Sequence, residues 1–347
     1  MNRTSENSAN EITLPVDRRL CVAPMMGWTD RHCRVFHRQL APNALLFTEM
    51  ITAEALIHGD LEKLLDYDPI EQPLVLQLGG CEPDKLGLAG KHAASWGFSE
   101  INLNVGCPSD RVQAGNFGAC LMAKPELVAE CCQAIMASCE LPVTVKCRIG
   151  IDDMDPETGL DNFVDRVSES GVRVFYLHAR KAWLSGLSPK ENRNAPPLDY
   201  DRAFRLAKRR EDLSIILNGG LQTKNDALLN GVGFAGVMLG RSAYRTPYIL
   251  AELQSSIFGT QLPDRHQIVA SMACYAKRMS EKGTSLTSIT RHMFGLHSGQ
   301  SGARKWRHRL GEESRKADDP KIFLLEASDD LKQWQSECQI NRKTFPQ

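Results

Sequence analysis

Cys107 is the residue from which chemistry could start. It follows a stretch in which Ile101, Leu103 and Val105 alternate with Asn102 and Asn104, the period of a strand, and Gly106-Cys107-Pro108 then ends that strand abruptly. A thiol therefore stands at the mouth of a loop, where barrel and open-sheet enzymes carry their chemistry. A cysteine thiol ordinarily titrates at about 8.5, so as a class it holds its proton at neutral pH and suits proton donation without the activation a nucleophile needs. Gly115 and Gly118 give the loop room to move. Taken alone, the stretch reads equally well as a buried turn cysteine, since free cysteine often serves as a small hydrophobe.

Other chemically capable residues sit where further apolar runs end. Lys146 closes the run Val143 to Cys147, and a lysine there is costly to bury unless a ligand or carboxylate pairs it. Asn218-Gly219-Gly220 and Gly240-Arg241 close the last two runs, the pair of loops in which a barrel holds a phosphate with backbone amides and one arginine. A phosphorylated, electron-accepting ring over the barrel mouth satisfies both ends, and flavin mononucleotide has that shape. Lys146 by itself equally permits a Schiff-base aldolase.

These residues must be positioned by a repeating framework. Apolar runs occur at Leu20 to Met26, Ala44 to Met50, Leu74 to Leu78, Ile101 to Val105, Val143 to Cys147, Val174 to Leu177, Ile215 to Leu217 and Gly236 to Leu239. Helix-length segments lie between them, among them Pro125 to Ser138, Asp161 to Ser170, Asp199 to Arg210 and Lys224 to Asn230, and Thr29 or Asp30 can cap a helix reaching to about Leu40. Eight nearly continuous Val/Ile/Leu runs alternating with helices predict parallel strands covered on both faces, and the count and length fit an eightfold β/α (TIM) barrel over residues 20–256. A doubly wound open sheet is the other topology considered, but the glycine-rich dinucleotide fingerprint it usually carries is missing.

After Ile257 the strands cease. Gln267 to Lys282, Leu286 to Gly295, Ala303 to Leu310 and Pro320 to Ile340 read as helices, which predicts a small helical domain over residues 257–347. Between Glu281 and Glu312 there is no carboxylate, while Lys282, Arg291, Arg304, Lys305, Arg307 and Arg309 are interleaved with Trp306 and three histidines. Such a segment attracts a phosphate backbone. A solvated helix face is the plainer reading of a charge run.

The 347 residues carry no net formal charge and are 42% hydrophobic and 24% charged, an ordinary globular balance. Eleven cysteines, an odd number without CxxC or zinc-type spacing, indicate a reduced, cytoplasmic set and no metal site. Residues 1–19 read as a polar, disordered tail without a signal-peptide core, and no apolar run reaches the roughly eighteen residues of a membrane span.

Together, Ala23-Pro-Met-Met-Gly-Trp-Thr-Asp30, Gln77-Leu-Gly-Gly80, Asn102-Leu-Asn-Val-Gly-Cys-Pro108, Val145-Lys-Cys-Arg-Ile-Gly150, His178-Ala-Arg180, Asn218-Gly-Gly220 and Gly240-Arg241 resemble the tRNA-dihydrouridine synthases. The segment Ser185 to Pro197, with Gly302-Ala-Arg-Lys-Trp-Arg307, is similar to subfamily A, which modifies the D-loop. The resemblance implies reduction of the C5–C6 double bond of selected tRNA uridines, at positions 20 and 20a in this subfamily, with FMN as hydride carrier and NADPH as reductant. It implies that Pro24, Met25 and Met26 line the flavin, that Gln77, Lys146 and His178 bond its ring or ribityl chain, and that Asn218, Gly219, Gly220, Gly240 and Arg241 hold its phosphate. Cys107 then donates the proton to C5, Asn104 touches the uracil, and Lys190, Arg193, Arg304 and Arg307 contact tRNA. A monomer is the plain expectation for a protein gripping one tRNA. A non-catalytic RNA-binding protein on a barrel scaffold is the remaining alternative.

Overall fold

Branched and leucine side chains crowd the eight runs and favour extended, packed backbone. In the computed structural model, which describes residues 16–344, each run contributes a strand: β1 Leu20–Val22, β2 Leu46–Thr52, β3 Leu74–Gly79, β4 Glu100–Val105, β5 Val143–Arg148, β6 Val174–His178, β7 Ser214–Asn218 and β8 Gly236–Leu239. Consecutive strands from β2 to β8 pair in parallel, and β8 pairs with β1. Val22 N donates to Leu45 O and Leu45 N to Leu20 O, both at 2.9 Å, which joins β1 to the residues entering β2. The sheet is thus the eightfold β/α barrel that the alternation of runs predicts.

The helices follow their caps. Pro125–Ser138 and Lys224–Asn230 occupy the expected residues, the latter with a Thr223/Asp226 capping box. The helix expected from Asp161 begins at Thr158, because the Asp155 carboxylate accepts from Thr158 N at 2.9 Å and so anchors an earlier turn. Asp30 caps Arg31–Leu40 by accepting from Cys33 N at 2.9 Å.

Two packed layers result from the two faces of each strand. Outward residues such as Ile101, Leu103, Val105, Val145 and Leu177 join the helices in one large core. Inward, Cys21, Phe47, Val75, Tyr176, Ile216 and Met238 form a separate apolar cluster inside the barrel. β4 and β5 contribute nothing to that cluster, because their inward positions hold Glu100, Asn102, Asn104, Thr144, Lys146 and Arg148. One side of the barrel interior is therefore polar from floor to mouth.

The sequence places a disordered tail through Arg19. Residues 1–15 lie outside the described residues, but Val16 packs on the interior cluster and Arg18 reaches the fully buried Glu100. Burying Glu100 without a cation would be costly, and Arg18, just before β1, supplies one.

Beyond the barrel, the helix Tyr248–Phe258 ends at Gly259, whose left-handed φ of 70° glycine adopts at little cost. The helices Arg265–Ser280, Leu286–Met293, Ala303–His308 and Pro320–Thr344 follow. They dock on the barrel through Asp30, which receives the Arg291 guanidinium and His292 Nε2, and through His32 Nδ1, 2.7 Å from Tyr275 OH. Among the described residues no helix is long and apolar enough to cross a membrane.

Candidate active site

The strand ends meet at one mouth. Register places Asn104 beside Lys146, Arg148 beside His178, and His178 beside Asn218, so residues far apart in sequence become neighbours. Cys107 lies just past β4, half-buried, its Sγ 3.5 Å from Ser109 Oγ. Asn104 Oδ1 accepts from both Gly106 N and Cys107 N at 3.0 Å, and Cys107 O accepts from Ala119 N at 2.9 Å. A Cβ on Gly118, which has φ 78°, would lie 2.5 Å from Cys107 O. This glycine serves a close approach within the loop rather than play in it.

Arg148 ties that loop to the long segment after β6. Its Nε donates to Gly106 O at 2.8 Å, and its Nη1 donates to Lys181 O and Asn192 O at 3.0 and 3.2 Å. Gln113 Nε2 spans the same gap, donating to Pro108 O and Leu184 O, each at 2.9 Å.

Across the mouth, Lys146 Nζ donates to Asn218 Oδ1 at 3.0 Å. Burial, reinforced by Arg148, pushes the Lys146 ammonium down to about 8. Burial first, then Arg148 and Lys146, holds the His178 imidazole well below its ordinary range and hence neutral. Gly219 and Gly220 have φ 112° and 68°, and Cβ atoms there would sit 2.6 Å from His178 Cδ2 and 2.3 Å from Leu198 Cδ1. A Cβ on Gly240 would instead meet nothing within 4 Å, so this backbone faces open space. Arg241 donates to Asn194 Oδ1 at 2.8 Å and to Arg193 O at 3.1 Å. Among the described residues Lys146, Arg148, Arg180, Arg193 and Arg241 have no carboxylate partner.

Pro24, Met25 and Met26 form the turn above β1, with Trp28 N and Thr29 N donating to Met25 O at 3.0 and 2.9 Å and Met26 63% exposed. Gln77 lies lower, 1% exposed, with its amide bonded to Asn102 and Asn104. Lys190 and Arg193 are exposed on the segment after β6, and Arg304 and Arg307 are exposed on the helical domain. Part of the rest of the basic stretch is spent on structure. Trp306 is 2% exposed and donates to Met293 O at 2.9 Å, His292 and His297 are buried, Arg291 is held by Asp30, and Arg309 by Asp330. The segment's missing carboxylates come from distant parts of the chain, so the phosphate-facing set narrows from the one its sequence suggests.

Residues 21–333 match the dihydrouridine synthase (Dus) family model. The chain belongs to the dihydrouridine synthase family. It is 51% identical over 294 residues to the tRNA-dihydrouridine(20/20a) synthase of Xanthomonas campestris pv. campestris, covering 85% of this chain and 88% of that one. The corresponding Vibrio vulnificus synthase is 52% identical over 301 residues, covering 86% and 92%. An old yellow enzyme homologue from Zymomonas mobilis shares the fold, with a TM-score of 0.50 and 14% identity over 73% of this chain and 92% of that chain.

For a dihydrouridine synthase mouth, the sequence reading omitted Arg148 and Arg180 from the site. Arg148 closes β5 and Arg180 follows β6 by two residues, inside the motifs Val145 to Gly150 and His178 to Arg180. For Arg148 the available signal was a cation closing an inward-facing strand position.

Proposed function

We propose that this protein reduces the C5–C6 bond of D-loop uridines in tRNA, at positions 20 and 20a, to 5,6-dihydrouridine, with FMN in the barrel mouth and NADPH as reductant. Family membership and relatives of that name support the reaction and its RNA substrate. The observation that carries the cofactor is the group of five mouth cations without a carboxylate. Where that charge is buried, as at Lys146 and Arg148, an anion beside it would offset the cost of burial, and Gly240 opens onto space that a Cβ would enter. The residues fit a ligand with a phosphate at one end and a polar ring at the other. Asn218, Gly219, Gly220, Gly240 and Arg241 would hold the phosphate; Gln77, Lys146 and His178 would hold the ring and ribityl chain, with Pro24, Met25 and Met26 as a wall. Burial that lowers the Lys146 ammonium would also suit a Schiff-base lysine, but membership of the synthase family removes the aldolase alternative.

Bound there, FMN supplies hydride-transfer chemistry, with reducing equivalents from NADPH. The chain's own part is to present the base and deliver a proton. Cys107 Sγ would supply the proton to C5, and Asn104, which sets the Cys107 turn, stands beside it for the uracil. Arg148 holds together the two loops between which the base enters. A uridine in the D-loop must leave its stack to arrive there, and Lys190, Arg193, Arg304 and Arg307 would grip the backbone around it. Eleven free thiols and a tRNA substrate accord with a cytoplasmic monomer.

The purified protein is expected to show a flavin absorption spectrum that bleaches with NADPH under anaerobic conditions and returns on adding unmodified tRNA. Colourless protein that cannot be reconstituted with FMN overturns the redox reading and leaves a tRNA-binding scaffold. Reversing Arg304 and Arg307 to Glu together is expected to weaken tRNA binding by about tenfold or more at low salt and to flatten its salt dependence by about one to two units of slope, with the flavin spectrum unaltered. Unchanged binding by filter retention removes these residues from the interface.

A further inference from the structure

The polar side of the barrel interior is a single chain of hydrogen bonds running from the floor to the loop that carries Cys107. It begins at Glu100, which is fully buried. Arg18 closes on Glu100 Oε2, while Oε1 accepts from Thr144 Oγ1 and from Tyr176 OH, each at 2.8 Å. Thr144 Oγ1 accepts from Asn102 Nδ2 at 2.9 Å, Asn102 Oδ1 from Gln77 Nε2 at 2.8 Å, and Gln77 Oε1 from Asn104 Nδ2 at 3.0 Å. Asn104 Oδ1 then accepts the backbone amides of Gly106 and Cys107.

The polarity of this chain is dictated at both ends. A carboxylate only accepts, so Thr144 spends its hydroxyl hydrogen on Glu100 and leaves its oxygen for Asn102; the other acceptor in reach, Ile101 O, is 3.4 Å away. A backbone N–H only donates, so Asn104 must turn its oxygen to the loop. Between those ends the amides of Asn102, Gln77 and Asn104 have one arrangement that satisfies every neighbour. Flipping any of them sets donor against donor or acceptor against acceptor.

Burying an acid, a hydroxyl and three amides where the other strands bury an apolar cluster is costly unless each is satisfied, and an apolar layer would fill the same space. We propose that Glu100, acting through Thr144 and Asn102, is a positioning residue for Cys107: it fixes the orientation of the Gln77 and Asn104 amides and thereby the Gly106–Cys107 turn that holds the thiol at the mouth. The positioning does not depend on the proposed reaction; only its effect on turnover does, and the test reads the two separately.

Thr144→Val cuts the chain at one hydroxyl with little change in shape and leaves Arg18, Glu100 and Tyr176 in place. Amide exchange at Gly106 and Cys107 is expected to quicken about tenfold, the scale of one lost hydrogen bond. Alkylation of Cys107 by iodoacetamide, followed by peptide mass spectrometry, is expected to change at least about threefold on the same scale. In turnover on tRNA, kcat is expected to fall about tenfold with KM and flavin content held. Thr144→Ser restores the hydroxyl and with it all three values. Tyr176→Phe removes the other donor to Glu100 Oε1 without touching the chain, and is expected to leave exchange and alkylation at Cys107 as they are. Wild-type exchange and alkylation in Thr144→Val, no rescue by Ser, or an equal effect from Tyr176→Phe each overturns the proposal. Should Thr144→Val not fold, Thr144→Ala makes the same cut and is read the same way. If exchange and alkylation respond as expected while no turnover on tRNA exists in any variant, the functional reading fails and the positioning stands.

Discussion

Cys107→Ala is expected to retain bound flavin and to oxidise NADPH at the wild-type rate, yet to lose about 10²- to 10⁴-fold in dihydrouridine formation, the usual worth of a positioned general acid. The split follows from where the thiol sits. Its turn is held by backbone bonds to Asn104 Oδ1 and Ala119 N, none of which involves Sγ, so alanine leaves the loop in place. The cations that would hold the cofactor lie on β5 through β8 and in the loops that follow, where the substitution does not reach. Only the proton for C5 is removed. The measurement is dihydrouridine content of tRNA by mass spectrometry beside NADPH consumption in the same sample. Retained product formation sinks the acid role, and a parallel loss of both activities points to a disturbed mouth instead.

The barrel was legible because eight nearly continuous Val/Ile/Leu runs alternate with helix-length segments, a signal that survives without tertiary information. The candidate mouth was legible for a related reason: in this fold, function collects where strands end, so reading the last residue of each run finds Cys107, Lys146, His178, Asn218 and Arg241. Pairing across the chain was not. Nothing local around Arg291 shows that its carboxylate is Asp30, more than two hundred residues away in the chain, and a carboxylate-free stretch consequently looked more available to phosphate than it is. Trp306 misled for the same reason. It lies on a helix of six residues, too short for its cationic neighbours to display a periodicity separating a wet face from a dry one. Glu100 was opaque too, since a glutamate opening a strand ordinarily reads as its solvated end, and only the closed barrel with Arg18 beneath it makes the acid an interior group.

Lys146→Met is expected to move two quantities in opposite directions. FMN affinity falls about 10- to 100-fold, the worth of a hydrogen bond from a charged donor, while the flavin-free protein becomes more stable. The second effect follows from the pKa. Burial, reinforced by Arg148, lowers the Lys146 ammonium from 10.5 to about 8, so below pH 8 the fold carries a charge that it disfavours, held at the neutral Asn218 amide. Between pH 8 and 10.5 the native chain has shed that proton while the unfolded chain keeps it; the unfolded state binds more protons, and stability rises with pH through this window. The flavin-free wild type is therefore less stable than the methionine variant at pH 7, by on the order of 2 kcal/mol, and the gap narrows as pH approaches 10.5. Taking the difference between the two proteins cancels the titration of the cysteines, which both share. Chemical denaturation of the flavin-free forms at pH 7 and pH 10, with flavin titration at pH 7, checks both halves. A variant that binds FMN like the wild type removes Lys146 from the cofactor site, whatever its stability. One that loses FMN without gaining stability means that the buried ammonium is already compensated by something other than the ligand.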